Sequence, residues 1–189
     1  DIGFVATGLS GMKIMDLSDW QNPRLISSWQ HDRGSVEMIV VQDDYAFVSV
    51  ARHGLSIVDI SDLENPVEVG NYLCRDEIVS IIPIEGAVLI GDAGFGIITL
   101  DFSDPEIPRV ISLLEIPTRL FDIAKRNDLL YIVSSEIFWQ FKLGIVDITD
   151  IENPRKLIFS SDLRAEKIKI NGNYLYNYGY RLFVFDLEN

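Results

Sequence analysis

Two histidines, His31 and His53, and a scatter of arginines are the side chains here with the most chemical reach. A pair of imidazoles can begin a metal centre or an acid–base pair, and guanidinium groups hold carboxylates or phosphates. No third ligand falls at a matching spacing, so both histidines read as structural or solvated, and no metal or other cofactor is expected. The single cysteine, Cys74, can form no internal disulfide and reads as a small residue in a connection rather than a nucleophile. No Gly-x-Ser-x-Gly, His-Glu-x-x-His or phosphate-loop pattern occurs.

Paired carboxylates are the recurring motif. Asp-x-Ser/Thr-Asp appears at Asp16 to Asp19, Asp59 to Asp62, Asp101 to Asp104 and Asp147 to Asp150. Two carboxylates and a hydroxyl are a start on a calcium site, but the known calcium loops close on a bidentate glutamate, which these stretches lack. The other reading is that these side chains accept backbone N–H groups inside a turn. Asp16, Asp59, Asp101, Asp147 and Asp186 are the expected turn residues.

These anchors belong to a longer repeat. Gly54-Leu55-Ser56-Ile57-Val58-Asp59-Ile60-Ser61-Asp62-Leu63-Glu64-Asn65-Pro66 is its clearest copy, echoed at residues 11–23, 96–108 and 143–154 and more weakly at 181–187. The anchors fall 43, 42, 46 and 39 residues apart, and each of the first four is followed seven residues later by proline. A fixed period of this size marks solenoids, arrays or propellers. Each period holds short β-branched and aromatic runs broken by turn residues, with no helical stripe. Four strands per period suit the blade of a β-propeller. The motif resembles the LVIVD-type repeat, whose signature is a Gly-Leu-x-Ile-Val-Asp-Ile-Ser-Asp-Pro-x-x-Pro run. Residues 54–66 match it closely. The resemblance implies a propeller fold and an exported or cell-envelope location; most members have no assigned reaction.

With strands a to d counted outward from the axis, the blades fall at about 1–30, 31–73, 74–115, 116–161 and 162–189. The first lacks strand a and the last lacks strand d, leaving three full blades and two partial ones. Two arrangements fit: a nearly closed five-bladed ring, or a segment of a larger one. The second is expected, because an open segment exposes apolar flanks that a monomer avoids. Tight a-to-b turns are marked by Gln42-Asp43-Asp44, Glu85-Gly86, Asn127-Asp128 and Asn171-Gly172-Asn173. Strand c is almost continuously apolar, as expected when neighbouring blades cover both faces. The proline falls where strand d begins, at the blade's outer edge, where a missing N–H costs least.

Composition narrows the function further. A net charge of −13 over 189 residues disfavours nucleic acid and anionic membranes as partners. No apolar run is long enough to cross a bilayer. The chain opens on Asp1 without an initiator methionine or a leader-like segment, which says little about export.

The b-to-c and d-to-a connections share one rim and are the irregular ones. They carry His31 and the candidate ligand-binding residues Arg33, Arg52, His53, Arg75, Arg119, Arg164 and Arg181 among several acids. The opposite rim collects the turn aspartates and should be the more acidic. One b-to-c connection is lengthened at residues 134–142, which adds Phe138 and Trp139 to the candidates. The expected function is a non-enzymatic binding or scaffold module of a surface or exported protein, with a protein or carbohydrate ligand on this rim. The alternative is a propeller enzyme, a hydrolase or lyase, using His31, His53 and arginines at the central mouth.

Overall fold

The computed structural model describes residues 1–136, 141–163, 165–179 and 182–188, and all regular structure among them is β. The strands are β1 (Ile2–Ala6), β2 (Met12–Asp16), β3 (Arg24–Trp29), β4 (Val36–Gln42), β5 (Tyr45–Val50), β6 (Gly54–Asp59), β7 (Val67–Tyr72), β8 (Ile78–Ile84) and β9 (Ala87–Asp92). They continue as β10 (Gly96–Asp101), β11 (Arg109–Glu115), β12 (Arg119–Arg126), β13 (Leu129–Ser135), β14 (Phe141–Asp147), β15 (Arg155–Leu163), β16 (Ala165–Asn171), β17 (Tyr174–Gly179) and β18 (Leu182–Asp186). Every strand pairs with its sequence neighbour, giving sheets β1–β3, β4–β7, β8–β11, β12–β15 and β16–β18. Three full four-stranded blades and two three-stranded ones result, as the repeat predicts. Among the described residues no helix is long and apolar enough to cross a membrane.

Local chemistry explains the hairpins. Asp43, Gly86, Asn127 and Gly172 all have positive φ, at 52°, 71°, 51° and 57°, in the a-to-b turns. These residue types tolerate the left-handed backbone that such turns need. Strand c starts on glycine for a separate reason. Gly54 has φ 86°, and a Cβ there would lie 2.2 Å from the carbonyl oxygen of Tyr72 on the adjacent strand d. Gly11 and Gly96 meet the same obstacle against Trp29 and Leu114.

The chain divides into two compact units, residues 1–88 with 101–109, and residues 89–100 with 110–189. In the first, Met12 and Ile14 of β2 pack against Val36, Ala46, Val48 and Val50 of the next sheet. On the other face of that sheet, the Phe47 ring meets Phe102 edge-on, with centroids 4.9 Å apart. In the second unit, Tyr131, Val133 and Phe141 pack against Ile168 and Leu175. Strand c is fully buried along most of β6 and β10, as its continuous apolarity predicts. β18 instead alternates, leaving Leu182 64% and Val184 51% exposed.

Sheets interlock at one repeated point. The Ser27 hydroxyl on β3 donates to the Leu63 carbonyl at 2.5 Å, and the Ser112 hydroxyl on β11 donates to the Ile151 carbonyl at 2.6 Å. Each donor lies four residues past its blade's proline, and each acceptor four residues past the next anchor aspartate. Gly70 holds the donor position on β7, and the Pro105 carbonyl oxygen presses so close that an added Cβ would lie 1.8 Å from it.

Candidate functional site on the loop rim

A concavity of about 420 Å³ opens on the rim of the first unit, where b-to-c and d-to-a connections meet. Its charged lining is Glu37, Arg52, Arg75, Asp76 and Glu77. Val50, Cys74 and Ile78 supply the apolar part.

Each wall has a structural origin. Glu37 is the extra residue of a β-bulge: Val36 pairs with Val50 and Met38 with Ser49, leaving Glu37 outside the ladder. Bulges re-aim a side chain in this way. The same irregularity recurs where β12 and β16 begin, at Phe121 and Glu166. Arg52 sits in the turn closed by the His53 N–H donating to the Val50 carbonyl at 2.9 Å, with φ 64°. That left-handed conformation is uncommon for a side chain like arginine. Arg75, Asp76 and Glu77 come from the connection into β8, where the Asp76 carboxylate accepts the Glu77 N–H at 2.8 Å.

The other predicted residues distribute as follows. The His31 and His53 rings lie against each other at a tilt of 40° with centroids 4.7 Å apart, and His31 Nδ1 accepts the Arg33 N–H at 3.2 Å. This cluster joins His31, Arg33 and His53 on the same rim, but none of the three lines the concavity. Arg119 is exposed at the start of β12, in the second unit. Phe138, Trp139, Arg164 and Arg181 lie outside the described residues. Part of the lengthened connection is strand: β13 runs on to Ser135 and β14 begins at Phe141, whose buried ring meets Phe121 edge-on at 5.0 Å. The Lys142 ammonium donates to Glu136 at 2.5 Å across that hairpin.

At the other end of each blade the turn aspartates cap the chain. Asp16, Asp59, Asp101, Asp147 and Asp186 each accept the backbone N–H two residues ahead, at 2.8–3.0 Å. The hydroxyl and N–H of Ser61 hold the Asp59 carboxyl below the usual carboxylate range. Asp147 is pulled down to about 2 by the Thr149 hydroxyl first, then by the Thr149 N–H and Arg155. The second aspartates are equally engaged. Asp62 accepts the Glu64 N–H and the Asn65 side-chain amide, both at 2.9 Å. Asn22 and Asn153 repeat that contact with Asp19 and Asp150, which explains the Asn-Pro of the motif.

The profile of the LVIVD repeat matches residues 33–74. Residues 33–74 are an LVIVD repeat. This LVIVD repeat spans β4 to β7 and supplies most of the rim concavity's lining. Among curated proteins none matches the chain. Solved structures do. A functionally unknown protein from Desulfotomaculum acetoxidans superposes with TM-score 0.75 at 14% identity, over 97% of this chain and 61% of its own. BamB from Moraxella catarrhalis gives 0.71 at 15% identity, over 98% and 55%. The computationally designed Ika8 protein gives 0.72 at 10% identity, again over 98% and 55%. The chain thus spans between 55% and 61% of the length of these three. BamB is a β-propeller, and the blades described above are propeller blades.

Glu37 escapes a reading by sequence, and Asp92, which the sequence places among the acids of the rim connections, is held inside instead. Asp92 is fully buried, and its carboxylate accepts the Gly94 and Phe95 N–H groups at 3.0 and 2.9 Å, organising the turn into β10. The Asp-x-Gly spacing is a signal for that turn. A bulge such as that at Glu37 leaves no signature in residue type.

Proposed function

We propose that the chain is a non-enzymatic binding module of a surface or exported protein, which takes a ligand on the rim formed by its b-to-c and d-to-a connections. The observation that carries this reading is the concavity between Arg52 and the Arg75 to Glu77 connection, which sets charged groups of both signs around a small apolar floor. Loops held by a rigid sheet are where binding groups are commonly placed. Resemblance of the repeat to those of exported proteins supports the location, and protein or carbohydrate ligands fit a rim of mixed charge.

The experiment is a screen against glycan and peptide arrays, repeated with Arg52→Gln and with Asp43→Asn in an a-to-b turn on the opposite rim. Loss of a captured ligand with Arg52→Gln and retention with Asp43→Asn is the expected result. The reverse pattern places the binding surface on the wrong rim and ends the proposal.

A further inference from the structure

We infer that the rim concavity binds a small zwitterion, an α-amino acid or a dipeptide, with its ammonium on Glu37 and its carboxylate on Arg52. This deepens the rim-binding reading and rests on it.

Five charged side chains line the concavity, and they are not equivalent. Arg75, Asp76 and Glu77 already have partners within the protein. Glu37 and Arg52 make no hydrogen bond or ion pair with any described residue. They are also the two charged lining residues set on distorted backbone, one on a β-bulge and the other at φ 64°. A bulge aims a side chain where a regular ladder would not. A left-handed arginine keeps a conformation that glycine adopts without cost. Both irregularities deliver an unspent charge to the same hollow.

The signs of those charges select the ligand. A simple anion would satisfy Arg52 but face Glu37, Asp76 and Glu77. A simple cation would satisfy Glu37 but face Arg52 and Arg75. A molecule carrying both charges pairs with each. The planar guanidinium suits a carboxylate bidentately, and a carboxylate suits a compact ammonium. The volume, about 420 Å³, lies in the range of small-molecule sites, roughly 300–1,000 Å³. Val50 and Ile78 are almost fully buried and offer an apolar floor for a side chain.

The test is calorimetric titration of the whole chain with the common amino acids and glycylglycine. The controls are N-acetylglycine, which lacks the ammonium, and glycinamide, which lacks the carboxylate. At least one free zwitterion should bind, with its N-acetylated and amidated forms about tenfold weaker or more. Glu37→Gln and Arg52→Gln should each weaken the zwitterion by about tenfold or more. Both residues are exposed, so the variants should fold, and thermal melts check this. Arg52→Gly supplies a second readout: it should raise the melting temperature by relieving the backbone while losing the ligand. Equal binding of the capped analogues overturns the zwitterion. Binding lost with Arg52→Gln but untouched by Glu37→Gln reduces the site to an anion site, and the rim reading survives. No amino acid binding at millimolar concentration, with an array ligand still lost in Arg52→Gln, overturns the zwitterion and leaves the rim reading standing. Binding lost only with Asp43→Asn overturns both readings.

Discussion

The Ser27 hydroxyl donates to the backbone carbonyl of Leu63, 36 residues away, at 2.5 Å. The contact fastens the outer strand of one blade to the c-to-d turn of the next. Ser112 and Ile151 reproduce it, and Gly70 beneath the Pro105 carbonyl is its close-approach variant. On β15 the corresponding residue is Ile158, which is 59% exposed.

Removing the donor should cost stability in proportion to one net hydrogen bond. Ser27→Ala is expected to lose about 1 kcal/mol in urea denaturation. Gly70→Ala should lose more, about 1–3 kcal/mol, because backbone rather than a flexible side chain blocks the new methyl. A Gly70→Ala variant as stable as the parent would mean that β7 and the Pro105 turn separate freely.

Gly54→Ala faces two penalties at once. The φ of 86° disfavours any Cβ, and the Tyr72 carbonyl occupies its place. A loss of about 2 kcal/mol or more is expected, read as a fall in the denaturation midpoint. Gly86→Ala is the control: its φ is also positive, but no atom lies within 4 Å of the added carbon. It should cost less.

Asn177 is fully buried in β17, and neither its amide nitrogen nor its oxygen has a partner among the described residues. Counting from the tyrosine that opens each strand, it occupies the place that Val48 fills in β5. Asn177→Val should therefore stabilise the chain, by about 1–3 kcal/mol, by removing a desolvated amide. Loss of stability would show that the amide serves a contact beyond packing.

Acid should weaken the turns. Asp147 titrates at about 2 when folded, below the value near 3.8 of a free aspartate. A depressed folded value contributes stability that is complete above the unfolded pKa and lost as pH falls toward the folded one. The advantage of the parent over Asp147→Asn should therefore be full above about pH 4 and vanish near pH 2. Asp16, Asp19, Asp59, Asp62, Asp101 and Asp150 are shifted the same way and steepen the overall acid loss. Asp122 opposes them: burial raises its carboxyl, although the Ile168 N–H and Lys167 pull it down. Asp122→Asn should gain on the parent as pH rises, in the same denaturation series.

The strands were legible because the repeat writes each one twice, once as an apolar run and once as the turn residues around it. The a-to-b turns at Asp43, Gly86, Asn127 and Gly172 fall where residue type alone places them. The capping role of Asp59 was equally readable, since a short carboxylate at a chain reversal has few other uses. Three features were not. The partner of Asn65 depends on how its turn closes, and the bulge at Glu37 depends on register. The Ser27 joint depends on a neighbour 36 residues away. Registers and distant neighbours are set by packing, which leaves no trace in the type of a single residue. For that reason Arg52 is legible as a candidate in the sequence and Glu37, which lines the same concavity, is not.

The joint at Ser27 has an evolutionary consequence. Its receiving half is main chain, supplied alike by leucine, proline or isoleucine at Leu63, Pro105 and Ile151. At this joint a copy therefore asks nothing of the side chain on its receiving turn, and only the strand that meets it must carry serine or glycine. Recombining such units meets one requirement fewer at this point than a joint between two side chains would impose.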